Sequence, residues 1–185
     1  IIGATRFEKN KYYNSLISIT KSKVNYFDKI ILVPFGEFLP LRDSLNFFER
    51  IVGPNNFSSG NEQRLINLPN NISFIPVICY EIVFYWKLLN KLNYNSNFII
   101  NITNDFWFGK YIGPYQHFYL TKIRAAEFNK PIIRVSNNGI SAVIDNKGSI
   151  IKNTELNNTE KFKHKLYLQE NINLYERKFR NLLFK

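Results

Sequence analysis

Segments with two different hydrophobic periodicities alternate along the chain, and turn residues separate them. Alternation with a period of two predicts a strand over 13–19, and a continuous apolar run predicts a buried strand over 30–35. Further apolar runs predict a strand that ends at Cys79 and another over 97–103. Residues 1–5 are typical of a strand entered midway.

Helices are predicted between these strands. A short helix is expected over 43–52, where a Gly-Pro pair ends it, and an Asn- and Ser-rich loop over 55–63. Residues 86–92 are also expected to be helical. The clearest helical pattern runs over 115–129, where apolar residues recur at spacings of four and three before a Lys-Pro pair.

Three short strands close the pattern, over 132–136, 140–144 and 149–151. The breaks at 137–139 and 146–148 carry the Asn and Gly residues that tight turns with positive φ favour. Helical and extended segments therefore alternate without an internal repeat or a linker. This order predicts an α/β fold with layered sheets and helices.

Length and charge change this picture little. A chain of 185 residues is expected to form one domain, and its pattern weakens into a polar, basic tail over 153–185 that is part of this domain or partly disordered. The net charge of +11 comes from lysines scattered among Asn, Ile, Tyr and Phe, as in AT-rich genomes. No nucleic-acid partner is expected, and attraction to anionic lipid is favoured over it. Because the chain contains no methionine, we expect it to be a piece of a longer protein.

Cys79 is the only cysteine, and it lies at the end of an apolar strand. A thiol attacks as the thiolate, so it needs a neighbouring base or charge. His164 lies in the polar tail and His117 near a helix start, so neither is a strong candidate for that base. A single cysteine forms no internal disulfide, and no metal site or cofactor is expected.

Lys29 and Glu37 flank the apolar run over 30–35 and could supply the missing charges. Taken alone, each has an ordinary interpretation, because lysines beside strands are usually solvated and glutamates after glycine usually lie on loops. The sequence around Lys29 and Glu37 favours a functional role for both. The residues around them and around Cys79 form blocks that extend over much of the chain: 29–41, 78–84, 104–109, 112–117, 124–127 and 134–145.

In this order and spacing, the blocks closely resemble the nitrilase-like domain of bacterial apolipoprotein N-acyltransferases, over about residues 1–152. Other nitrilase-superfamily amidases share the lysine and cysteine positions. They lack the Val-Pro-Phe-Gly-Glu block at 33–37 joined to the Trp-Phe-Gly and Gly-Pro-x-Gln-His blocks. The resemblance implies a nitrilase-like α-β-β-α sandwich, with residues 1–152 as an N-terminally truncated catalytic domain.

The resemblance also implies roles for particular residues. The family uses a Glu-Lys-Cys triad, which places the nucleophile at Cys79 and the triad lysine at Lys29, with Glu37 as a second assisting glutamate. Tyr80 and Glu81 match the supporting pair that follows the nucleophile. The first triad glutamate, the general base, lies upstream in the family and has no counterpart here, since Glu8 follows the first strand.

The aromatic residue Trp107, with its neighbours Phe106 and Phe108, would line the approach of the acyl chain or headgroup. As ordinary core aromatics, these residues would have no such role. Asn137 and Asn138 would form only a hairpin turn, or else take part directly in the site.

The implied activity is transfer of an acyl chain from a membrane phospholipid, through a Cys79 thioester, to the N-terminal amine of a diacylglyceryl-cysteine apolipoprotein. The enzyme would lie in the bacterial inner membrane with its catalytic domain facing the periplasm, anchored through segments absent here. The piece alone would then be inactive. Two alternatives remain: a soluble nitrilase-superfamily amidase, and a non-catalytic remnant that keeps the fold.

Overall fold

The computed structural model describes the greater part of the chain. The predicted helix over 43–52 and most of the basic tail lie outside the described residues. Those residues are 1–21, 23–40, 56–61, 63–90, 93–156, 158, 160–161 and 163–166.

Nine strands in two sheets make up the framework of the described part. A three-stranded antiparallel sheet has the order β1-β2-β3, and a six-stranded sheet has the order β4-β5-β6-β7-β8-β9. The strands are β1 (Ile2–Glu8), β2 (Lys11–Ile19), β3 (Val24–Asp28), β4 (Ile66–Asn67), β5 (Ser73–Ile78), β6 (Phe98–Asn104), β7 (Ile132–Asn137), β8 (Ala142–Ile144) and β9 (Ile150–Asn153).

The centre of the large sheet is parallel. Strands β5, β6 and β7 run side by side in the same direction, with Ile78 beside Ile102 and Ile102 beside Val135. The side chains of β5 and β6 are mostly buried on both faces, which explains the continuous apolar runs that predicted these two strands. Parallel strands bring their carboxyl ends to one edge of a sheet, so the residues after β5 and β6 meet there.

One long helix, α1 (Ile112–Phe128), packs on the large sheet. Its buried side chains include Phe118, Thr121, Ala125 and Phe128, which recur every three or four residues. The helix ends at Asn129, which adopts the left-handed conformation with φ of 49°. The helix predicted over 115–129 is confirmed and begins one turn earlier. Within the described residues, we find no helix with the length and apolar character needed to cross a bilayer.

Two apolar clusters separate three layers. The first lies between α1 and the large sheet and includes Ile75, Ile99 and Phe118. The second includes Leu16 of β2 and Phe74 of β5, and it joins the small sheet to the other face of the large sheet. The layer order is therefore helix, sheet, sheet.

The predicted strand over 30–35 is wrong. Strand β3 ends at Asp28, and the next residues follow an irregular path rather than a sheet ladder. The amides of Ile30 and Ile31 donate to the carboxylate of Glu81, which takes the place of a neighbouring strand. The apolar run reflects packing, since Ile30 contacts the cluster between the two sheets.

Two further differences concern the small sheet. Glu8, expected to follow the first strand, is the last residue of β1, because β1 continues in antiparallel pairing with β2 as far as Glu8, and β3 was not predicted. The helix predicted over 86–92 is a single 3₁₀ turn, Tyr85–Lys87, and residues 91 and 92 lie outside the described part. The tight turns are confirmed, with φ of 57° at Asn138 and 83° at Gly148.

Candidate active site

Cys79 lies directly after β5, at the carboxyl edge of the parallel strands. It begins the short 3₁₀ segment Cys79–Val83 with φ of 51°, a left-handed conformation that few residues other than glycine and asparagine adopt. Its side chain is half-buried, and its Sγ atom lies 4.0 Å from the carbonyl oxygen of Asn104, the last residue of β6. The thiol therefore sits on a strained turn between two strand ends.

The carboxylate of Glu81 is fully buried beneath this turn. It accepts a hydrogen bond of 2.9 Å from the Ile78 amide, and both η nitrogens of Arg64 donate to it at 2.8 Å. Arg64 is itself buried and also donates to the Pro76 carbonyl oxygen at 3.0 Å. A bidentate pair of this kind compensates for removing both charges from water.

Glu81 also holds the segment that follows Lys29. Its Oε1 atom accepts hydrogen bonds from the amides of Ile30 at 2.9 Å and Ile31 at 3.2 Å. One carboxylate thus ties the segment after β3 to the turn that carries Cys79. Ile30 and Cys79 also pack against the same apolar cluster.

Lys29 and Glu37 form a close ion pair within the segment that follows β3. The side chain of Lys29 is only 1% exposed, and its Nζ atom lies 2.6 Å from Glu37 Oε2. Glu37 is fixed in turn, because Asn14 Nδ2 donates to its Oε1 at 2.7 Å and the Val33 amide donates to its Oε2 at 2.8 Å. The ammonium group is therefore desolvated and oriented rather than solvated.

The two predicted aromatic residues differ in exposure. Tyr80 is half-buried and makes an edge contact with Phe84, with ring centroids 5.0 Å apart. Trp107 is 69% exposed in the 3₁₀ segment Asp105–Phe108, which begins directly after β6. Trp107 thus lies at the protein surface, just after the carboxyl end of β6.

A buried polar network behind Cys79 was not predicted. Its centre is Asp105, which is fully buried. One carboxylate oxygen lies 2.8 Å from His117 Nδ1 and accepts from Thr103 Oγ1 at 3.1 Å, and the other accepts from Arg134 Nη2 at 2.6 Å and Ser136 Oγ at 2.9 Å. A side chain at Gly139 would collide with it, since a Cβ atom there would lie 2.0 Å from Asp105 Oδ2.

These contacts set the ionisation of the network. Burial raises the pKa of Asp105, but the His117 hydrogen bond and the charge of Arg134 outweigh it and lower this pKa from 3.8 to about 2. Burial lowers the pKa of Arg134, against the opposing effects of Asp105 and of the Cys79 side chain. Asp105 and Arg134 therefore form a fully buried, charged pair.

His117 does not contact the thiol directly. Its Nε2 atom lies 3.3 Å from the backbone carbonyl oxygen of Cys79, and its ring is buried beside Phe108. The only signal for this network in the sequence is that charged residues at 105 and 134 occur within apolar segments, where burial requires a partner.

The chain matches known proteins over most of its length. A family model described as carbon-nitrogen hydrolase matches residues 1–169. Apolipoprotein N-acyltransferase from Allorhizobium ampelinum is 42% identical over 152 residues, which cover 80% of this chain and 29% of that protein. The protein of the same name from Rickettsia typhi is 40% identical, with 81% and 30% covered. The chain thus spans about 30% of the length of these relatives, and the predicted resemblance is confirmed.

Solved structures confirm the fold class. A CN-hydrolase superfamily protein from Xanthomonas campestris, solved with an arsenic adduct in its active site, has a TM-score of 0.60 at 16% identity, covering 98% of this chain and 65% of that chain. A nitrilase-superfamily member from Saccharomyces cerevisiae has a TM-score of 0.59 at 19% identity, covering 82% and 53%. The predicted nitrilase-like α-β-β-α class is thereby confirmed.

Replacing Glu81 by glutamine should strongly destabilise the domain. The substitution removes the counter-charge of buried Arg64 and turns an amide group toward backbone donors. We expect a loss of about 3–5 kcal/mol in the free energy of unfolding, measured by denaturant unfolding of the domain within the full-length protein. The control Glu155→Gln, at an exposed position after β9, should change it by less than about 0.5 kcal/mol. Equal effects of the two substitutions would contradict this role.

The lowered pKa of Asp105 predicts an acid-dependent loss of stability. A carboxyl group with a depressed folded-state pKa stabilises the fold above its unfolded value of 3.8, and this contribution disappears as pH falls toward about 2. The shift corresponds to about 2 kcal/mol. Thermal unfolding of the full-length protein between pH 2 and 5 should show this dependence, and Asp105→Asn should weaken it. An unchanged pH profile in Asp105→Asn would refute the assignment.

Proposed function

The chain belongs to the carbon-nitrogen hydrolase family, and we propose that it is the catalytic part of an apolipoprotein N-acyltransferase. Identities of about 40% to proteins of that name carry this proposal. The similarity to the solved CN-hydrolase and nitrilase-superfamily structures is below 20% identity and concerns the fold alone. The acceptor would be the N-terminal amine of a diacylglyceryl-cysteine apolipoprotein, and the acyl donor a membrane phospholipid.

The first half-reaction would start at Cys79. Its thiolate attacks the ester carbonyl carbon of the phospholipid and forms a tetrahedral intermediate with a negative oxygen. The ammonium of Lys29 and a backbone N–H beside Cys79 would stabilise that oxygen, by about 3 kcal/mol per donor. Collapse breaks the ester C–O bond, the lysophospholipid leaves as the alcohol after taking up a proton, and the acyl group remains as a thioester.

The second half-reaction would return the enzyme to its starting state. The N-terminal amine of the apolipoprotein attacks the thioester carbonyl and loses a proton, and the C–S bond breaks to release the Cys79 thiolate. The resemblance assigns the proton transfers to a glutamate upstream of β1. In this chain Glu8 at the end of β1 pairs with Arg6 at 2.6 Å, which supports leaving it unassigned.

The contacts of Lys29 support its proposed role. A buried ammonium held by Glu37 has already lost most of its water, so its charge acts on the oxyanion without reorganisation. Glu37 would keep this ammonium in place. Glu81 would fix the turn that carries Cys79, and Tyr80 would support the outer side of that turn. The exposed ring of Trp107 offers an apolar surface for the acyl chain.

The substrate places the site at a membrane. We propose that the full protein acts in the bacterial inner membrane with this domain facing the periplasm, where an apolipoprotein and a phospholipid meet. This assignment rests on the names of the relatives and on the chemistry of the acyl donor.

Replacing Cys79 by alanine should abolish acyl transfer in the full-length protein. After incubation with phospholipid vesicles and no acceptor, intact mass measurement should show one acyl adduct on the wild type and none on Cys79→Ala. Neutral hydroxylamine should remove the adduct, because it cleaves thioesters. The matched control Ser149→Ala, in the turn between β8 and β9, should keep the adduct. An adduct that persists in Cys79→Ala, or none on the wild type, would refute the proposal.

A further inference from the structure

His117 connects the buried network to the nucleophile through the protein backbone. Its ring is 3% exposed, with Nδ1 2.8 Å from Asp105 Oδ1 and Nε2 3.3 Å from the carbonyl oxygen of Cys79. We propose that His117 is a positioning residue: it holds the Cys79 carbonyl and thereby the backbone conformation that presents the thiol. This inference rests on the proposed role of Cys79 as the nucleophile.

The backbone at Cys79 requires such a restraint. Its φ of 51° lies in a region that residues with a side chain populate sparsely, and such a conformation persists only where surrounding contacts hold it. Glu81 restrains the amide of Ile78, before this residue, and His117 restrains the carbonyl group after its Cα atom. The two contacts therefore restrain the backbone on both sides of Cys79.

The ring of His117 is itself firmly placed. Asp105 fixes the orientation of the ring through Nδ1, and Arg134 Nη2 lies 3.3 Å from the same nitrogen. Arg134 is held by Asn101 Oδ1 at 2.7 Å and by Thr121 Oγ1 at 3.0 Å. A continuous chain of buried contacts thus runs from the centre of the large sheet to the nucleophile.

The geometry assigns His117 to positioning rather than to proton transfer. Nδ1 faces the carboxylate of Asp105 and Nε2 faces the carbonyl oxygen of Cys79, so neither ring nitrogen is directed at the thiol. The Sγ atom of Cys79 has a different neighbour, the carbonyl oxygen of Asn104 at 4.0 Å. His117 therefore acts on Cys79 through its backbone.

Two substitutions separate this role from a purely structural one. The side-chain nitrogen of glutamine can take the place of Nε2, while that of asparagine can take only the place of Nδ1. In the full-length protein, His117→Gln should keep thioester formation near the wild-type rate. His117→Asn should slow it about tenfold or more, with the KM for phospholipid nearly unchanged.

A second readout does not depend on the identity of the acyl donor. Alkylation of Cys79 by iodoacetamide, followed by mass spectrometry of the peptide that contains it, reports how the thiol is presented. Wild type and His117→Gln should react alike and His117→Asn more slowly. If this order holds while no thioester forms, the inference stands and only the proposed acyl transfer fails.

Other outcomes would overturn the inference. If His117 served only as a structural partner of Asp105, the reverse order would be expected, with asparagine tolerated and glutamine harmful. Equal rates in all three proteins would also exclude positioning. Should neither variant fold, Ser136→Ala removes one donor to Asp105 at a half-buried site. It should slow both reactions by about threefold, and unchanged rates would refute the proposal.

Discussion

The buried carboxylate of Glu81 is the contact on which the arrangement of the site depends. A fully desolvated charge is tolerated only where donors surround it, and here three backbone amides and the guanidinium of Arg64 supply them. Two of those amides belong to Ile30 and Ile31 and the third to Ile78, so satisfying one carboxylate also joins two distant segments. The segment that follows Lys29 is thereby tied to the strand end that precedes Cys79.

The same contact explains where the prediction from the sequence differs from the structure. Continuous apolar runs correctly predicted the strand over 97–103, and helical periodicity correctly predicted the helix over 115–129, because both elements satisfy their backbone groups by regular ladders. The run over 30–35 has the same composition, but its first amides bond to a side chain some fifty positions away. Hydrophobicity indicates that a segment is buried, and it does not indicate which groups its backbone will meet.

The candidate site likewise contains residues that the sequence identified and residues that it did not. Motif resemblance singled out Cys79, Lys29 and Glu37, and the lysine and glutamate indeed form a close ion pair across one loop. The network of Asp105, Arg134 and His117 could not be read from spacing, because its members come from different strand ends and a helix. Only the presence of charge within apolar segments indicated that partners must exist, without identifying them.

The candidate site residues follow strands of both sheets, so their relative placement is set late in folding. Lys29 follows the last strand of the small sheet, whereas Cys79 follows a central strand of the large one, and the apolar cluster between the sheets is what unites them. In a chain whose sheets have not yet docked, Lys29 and Cys79 belong to separate units. The relative placement of these two residues therefore depends on long-range contacts between the sheets, which are slow to form during folding.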